Sequence, residues 1–148
     1  MSELVRSSRE ERPALRSATP RDVHAVLEVW RRGDTAPSAT DDQHSVSRLL
    51  AFDSEALLVA EAKGEVIGTV VATFDGWRAN LYRLVVVPEH RRRGVARALV
   101  EEAERRLRAK GARRFSALVL QEQAGAAGFW EAMAYERDPR TTRFTKTA

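Results

Sequence analysis

The chain contains no cysteine, which excludes disulfides, thiolate metal sites and thiol catalysis. Lysine is scarce: Lys63, Lys110 and Lys146 stand alone, and arginine supplies the rest of the 25 cationic residues. No apolar run is long enough to span a membrane, and the opening MSELVRSSREERP has no apolar leader core. These absences predict a cytoplasmic protein with no membrane partner. No P-loop pattern GxxxxGK[ST] occurs, and no GxGxxG follows a strand. The two commonest phosphate-binding fingerprints are therefore excluded.

What is present is enough for one folded domain. The 148 residues are 43% apolar and 31% charged, and that length buries a substantial core. Residues 1–12 are polar and predict a flexible tail, leaving 13–148 as a single domain. The net charge of +4 comes from arginines interleaved with 21 acidic residues. Apart from Arg91–Arg93 they form no basic stripe, so no nucleic-acid partner is expected. Asp34, Asp41, Asp42 and His44 match no standard ligand spacing, and no metal site is expected.

Several elements can be read from local chemistry. Thr19-Pro20-Arg21-Asp22 is a helix start with Thr19 as cap, and Val23, Val26, Leu27 and Trp30 then recur at helical spacing up to Gly33. A second helix is expected over Asp42 to Ala51. Strands are expected on either side of the Lys63-Gly64 turn, with Gly68 marking a bulge or a close backbone approach. Val95 to Lys110 reads as a long amphipathic helix with Glu101–Arg105, Glu102–Arg106 and Glu104–Arg108 pairs on its wet face. Further strands are expected over Arg113 to Leu120 and Arg140 to Thr147.

The most informative stretch is LYRLVVVPEHRRRGVARALV, residues 81–100. An apolar strand ends at Val87-Pro88, and Arg91, Arg92, Arg93 and Gly94 lead into the helix opening at Val95 and Ala96. A helix N-terminus presents unpaired N–H groups and the positive end of its dipole, so this turn suits a phosphate. The spacing Arg91-x-x-Gly94-x-Ala96 after such a strand resembles the coenzyme A loop of the GCN5-related N-acetyltransferases (the GNAT family). A second family signature has a counterpart in Gln123-x-x-Ala126-x-x-Phe129-Trp130-x-x-x-Ala134-Tyr135. The resemblance covers about residues 13–146.

The resemblance implies an α+β fold, an α/β/α sandwich with a mixed, mostly antiparallel sheet of 6–7 strands and about four helices. Strands 81–87 and 114–120 would splay, with acetyl-CoA as co-substrate in the gap (the acyl-CoA N-acyltransferase fold). Val85, Val86 and Val87 would pair with the pantetheine arm, and the amides of Arg92, Arg93, Gly94, Val95, Ala96 and Arg97 would hold the pyrophosphate. The expected activity is transfer of an acetyl group to a primary amine of a small molecule or peptide by direct attack. An acyl-CoA-binding regulatory or interaction domain with little turnover is the alternative, and a homodimer stays open.

Three departures matter. Trp130 stands where the family commonly has a tyrosine that protonates the departing thiolate, and an indole cannot serve as that acid; it can still pack along pantetheine. Gln123 replaces an asparagine and keeps an amide that, with one more methylene, would reach coenzyme A. Ala134 replaces a glycine, at a cost of about 1 kcal/mol if the turn there is left-handed. Tyr82 and Glu122 are the candidate catalytic residues, with Asp75, Asp34 and His90 weaker.

Overall fold

Thr19, Pro20 and Asp22 start the first helix as their chemistry predicts. The computed structural model, which describes residues 13–33, 37–120 and 125–148, has a 3-10 turn at Pro20–Asp22 that runs into α1 (Val23–Arg32). The Thr19 amide donates to the Asp22 carboxylate at 2.7 Å. Arg16, on β1 (Ala14–Ser17), donates to the same carboxylate at 2.7 Å. The Arg16 hydrogen bond is the largest reason the Asp22 carboxyl is pulled down to about 2. α2 (Gln43–Phe52) is capped by Asp42, whose side chain accepts the Ser45 amide at 2.7 Å.

Four more strands follow: β2 (Leu57–Ala62), β3 (Glu65–Phe74), β4 (Ala79–Val86) and, after α3 (Val95–Ala109), β5 (Phe115–Ala117). Their spatial order is their chain order. All neighbours are antiparallel except β4 and β5, which α3 connects as a parallel pair. Lys63 and Gly64 both have positive φ (52° and 78°), the type I′ geometry that suits a two-residue hairpin. Leu57 to Ala60 are wholly buried, as a strand covered on both faces must be.

Two adjacent residues of β3 show how the layers are made. A Cβ on Gly68 would meet Leu99 Cδ1 at 3.2 Å and Val95 Cγ1 at 3.3 Å, so glycine lets α3 sit close on that face. The sheet register also shifts between Ala60 and Glu61, opposite this point. Thr69 faces the other way, where its hydroxyl accepts the Trp30 indole N–H of α1 at 2.9 Å.

The chain divides into two compact units, residues 1–117 and 118–148. In the second, α4 (Ala126–Ala132) opens at Gly125 and closes through Met133, Ala134 and Tyr135. The Ala134 amide donates to the Glu131 carbonyl and the Tyr135 amide to the Trp130 carbonyl, both at 2.9 Å. This is a Schellman motif, and its apolar closure is the Trp130–Tyr135 ring contact at 4.8 Å. Ala134 carries φ +67°, the left-handed turn that the sequence comparison raised.

Three local expectations need correction. The sheet has five strands among the described residues rather than six or seven. The strand expected over 113–120 is confined to Phe115–Ala117, because its ladder with β4 covers only Ala79, Asn80 and Leu81. Residues 140–147 form no strand: the Asp138 carboxylate draws the Arg140 amide and the Thr141 hydroxyl into a turn, and alternation alone supplies no ladder partner. On α3, Glu101 pairs with Arg97 and Arg105 with Glu102, while the Glu102–Arg106 and Glu104–Arg108 pairs form as expected.

Candidate functional site

The sheet has a second irregularity, on β4. Val71 pairs with Tyr82 and Thr69 with Val85, so Arg83 and Leu84 together oppose the single residue Val70. That is a bulge on β4. Arg83 takes φ +50° there, which costs on the order of 1–2 kcal/mol for a residue with a Cβ. The strain is held by contacts on both its main chain and its side chain. Thr69, fully buried, donates its hydroxyl to the Arg83 carbonyl at 2.9 Å. The Arg83 guanidinium lies 5.3 Å from the Trp30 ring centroid, and its Nη2 is 2.7 Å from both carboxylate oxygens of Asp41.

The bulge sets the direction of one amide. All peptide bonds here are trans, so a carbonyl and the following N–H point in opposite directions. With the Arg83 carbonyl turned to Thr69, the Leu84 N–H points away from it. Beyond Leu81, no described strand pairs with the β5-side edge of β4. The strand therefore ends as an open edge with an amide displaced by the bulge.

The loop after β4 has the form an anion needs. Val87 and Pro88 end the ladder in a 3-10 turn, Pro88–His90. Gly94 then caps α3 with φ +82° and ψ 8°, and no side chain bonds the helix end. A Cβ on Gly94 would meet nothing within 4 Å, so the space beside the first-turn amides is clear. Those amides have no intrahelical acceptor by construction. Arg92 is also left-handed, at φ +63°.

The arginines divide into two kinds. The Arg91 Nε donates to the Val86 carbonyl at 3.0 Å, and its Nη2 lies 3.5 Å from the Gly33 carbonyl. Its charge ties the strand end to the end of α1. Arg97 reaches Glu101 at 3.5 Å. Among the described residues, Arg92 and Arg93 are exposed and make no ion pair. Val85, Val86 and Val87 are buried, and a Cβ on Gly33 would come 2.1 Å from Val85 Cγ1. Gly33 is what allows α1 to end against the strand.

The other candidates are more scattered. Tyr82 is half-buried on β4, opposite Val71 and one residue before the bulge. Trp130 is buried in α4 against Phe129 and Tyr135. Glu122, Gln123 and Asp34 lie outside the described residues. Asp75 is occupied by its own turn: its carboxylate accepts the Arg78 and Trp77 amides at 2.6 and 2.8 Å, which hold its pKa below the usual range. That makes it a poor base. His90 ends the 3-10 turn beside the loop. Sequence reasoning missed Thr69, Arg83 and the role of Asp41. The available signal was an arginine inside LYRLVVV, since a charge in a covered strand needs a partner.

A strand bulged and open along one edge thus runs through a proline into a left-handed glycine at a helix start. The sequence matches the model of the acetyltransferase (GNAT) family over residues 23–135, and the chain belongs to that family. It is 35% identical over 115 residues to an acetyltransferase of Pectobacterium atrosepticum, across 78% of this chain and 82% of that one. The PaiA N-acetyltransferase of Thermoplasma acidophilum, solved with coenzyme A, shares the fold at a TM-score of 0.72 and 18% identity (82% of this chain, 87% of that one). So does the diaminobutyrate acetyltransferase of Paenibacillus lautus, solved with L-2,4-diaminobutyric acid and coenzyme A, at 0.71 and 19% identity (84% and 75%). The protein is an acetyltransferase.

Proposed function

We propose that this chain takes the acetyl group of acetyl-CoA to a primary amine of a small molecule or peptide. The observation that carries the reading is Gly94: a left-handed cap, free of side-chain bonds, beside clear space at the start of α3. The cofactor supplies an activated acyl group as a thioester. Amides of Arg92 to Arg97 bind its pyrophosphate, with the exposed guanidiniums of Arg92 and Arg93 adding charge. Of Val85, Val86 and Val87, the Val87 N–H is taken by the Ile67 carbonyl of β3 and the Val86 carbonyl by Arg91 Nε. The Val86 N–H on the open edge of β4 is therefore the group offered to a pantetheine amide, as an added strand would offer it.

The bulge supplies the catalytic element of this reading. The Leu84 N–H, turned from Thr69, is the donor aimed at the charge that builds on the thioester oxygen. Thr69, Trp30 and Asp41 hold Arg83 so that this amide does not have to reorganise. Tyr82, next to the bulge on the same strand, is the candidate acid or donor for the departing thiol, a role Trp130 cannot take because an indole has no proton to lose near neutral pH. Glu122 is the candidate base for a protonated amine.

The test is thiol release from acetyl-CoA over a panel of polyamines, diamino acids and short peptides. Release that depends on the amine supports the reading. Coenzyme A binding with no release on any amine overturns it in favour of an acyl-CoA-binding role.

A further inference from the structure

A cleft of about 460 Å³ opens between the β3–β4 turn and the loop from α3 into β5, lined by Phe74, Trp77, Arg78, Arg113, Arg114 and Ser116. It lies at the start of β4. The Gly94 loop follows the other end, some eight residues or roughly 25 Å along the strand. The cleft is thus separate from the coenzyme loop.

Both walls are built by tight turns. On one side, the Asp75 carboxylate accepts the Trp77 and Arg78 amides, and Gly76 takes φ +95°. This turn holds Trp77 out at 77% exposure with the Arg78 guanidinium 4.2 Å from its ring centroid. On the other side, Gly111 at φ +105° closes α3 through Gly111 N–H to the Arg108 carbonyl and Ala112 N–H to the Leu107 carbonyl. Arg113 and Arg114 leave the helix from that fixed point. The fold has gathered arginines that stand 35 positions apart in sequence.

Three guanidiniums in this cleft lack a carboxylate partner among the described residues, as do Arg92 and Arg93 at the start of α3. Arg16, Arg31, Arg32, Arg83, Arg105 and Arg106 each sit on a carboxylate. Arg78, Arg113 and Arg114 make no ion pair among the described residues; the Asp75 carboxylate accepts two amides of the turn, and its charge acts on Arg78 alone of the three. An exposed indole beside three unpaired guanidiniums has a clear chemical complement. Its face stacks on a planar base, and the guanidiniums take a phosphate. An acidic peptide would match the charge and leave the indole unused.

We infer that this cleft binds one nucleotide unit, its base against the free face of Trp77 and its phosphate on Arg78, Arg113 and Arg114. The volume suits a ligand of that size. A free mononucleotide and a residue of a single strand present the same chemistry, and the experiment distinguishes them.

The full chain, with saturating coenzyme A to block the acetyl-donor site, is titrated at low salt with AMP and separately with a short oligothymidylate. Tryptophan emission is read, since Trp30 and Trp130 are buried and Trp77 is the exposed reporter. Expected is saturable quenching that weakens roughly tenfold or more in Arg113→Ser/Arg114→Ser and vanishes in Trp77→Phe. Saturation by AMP assigns a free nucleotide; saturation by the oligonucleotide alone assigns a single strand. No saturable quenching by either, or quenching indifferent to the two arginines, overturns the inference. Arginine-dependent binding of polyglutamate in their place overturns it too. Both arginines are exposed, so the double variant does not test folding, and acetyl transfer stands or falls separately.

Discussion

Replacing Thr69 by valine removes one hydroxyl and almost nothing else. The residue is fully buried, and that oxygen accepts Trp30 Nε1–H and donates to the Arg83 carbonyl, each at 2.9 Å. Valine fills the same volume, so no cavity opens. A buried polar group deprived of its partner costs roughly 1–3 kcal/mol; the Trp30 N–H is buried but the Arg83 carbonyl only partly so, which puts the loss of both at about 2–4 kcal/mol. For a chain of this size that lowers the melting temperature by roughly 5–15 °C. Thr69→Ser keeps the hydroxyl and gives up one methyl, at about 1 kcal/mol. The two variants should therefore separate clearly in thermal unfolding. Below the melting range, the valine variant should also lose acetyl-transfer rate, up to about a hundredfold if the amide after Arg83 drifts by an ångström. A valine variant that melts within about a degree of the wild type, or together with the serine variant, would refute the idea that this hydroxyl holds the bulge.

Other consequences are equally direct. Ala134→Gly should stabilise the fold by about 0.5–1 kcal/mol, because relief of a left-handed alanine outweighs the extra freedom gained by the unfolded chain; Gly111→Ala, in the same motif on α3, should destabilise it, and calorimetry checks both. Gly33→Ala should destabilise by about 1–3 kcal/mol, since the new methyl falls 2.1 Å from Val85 Cγ1; denaturant titration measures it. Asp22, held near 2 by Arg16 and Thr19, has a folded value below its unfolded one. Its stabilisation is present above about pH 4 and is lost as pH falls toward 2, on the order of 1 kcal/mol after solvent screening. Asp22→Asn should flatten that part of the stability–pH curve.

The loop proposed to hold the cofactor was legible as a turn into a helix start, because that depends on local chemistry. Pro88, Gly94 and Ala96 state where a strand ends and how a helix begins, and the Gly94 geometry matches that statement. Thr19, Asp42, Gly33 and the Lys63-Gly64 turn were legible for the same reason. The bulge was not, because it depends on three segments meeting. Thr69 on β3, Trp30 on α1 and Asp41 before α2 give no sign in sequence that they converge on Arg83. The expected strands at 118–120 and 140–147 failed for the converse reason, since alternating residues state a preference and cannot provide a neighbouring edge. Arg91 shows a finer limit: its spacing matches the coenzyme A loop, yet its guanidinium binds two backbone carbonyls.

The central claim is that the start of α3 is a coenzyme A cradle, and calorimetric titration with Gly94→Glu tests it most directly. The Cβ of residue 94 enters open space, so the cost to the fold is the left-handed backbone alone, about 1–2 kcal/mol. The carboxylate then stands where the pyrophosphate must lie. The wild type should bind coenzyme A, and a folded Gly94→Glu variant should show no binding heat. Equal affinity in the two proteins would contradict the account.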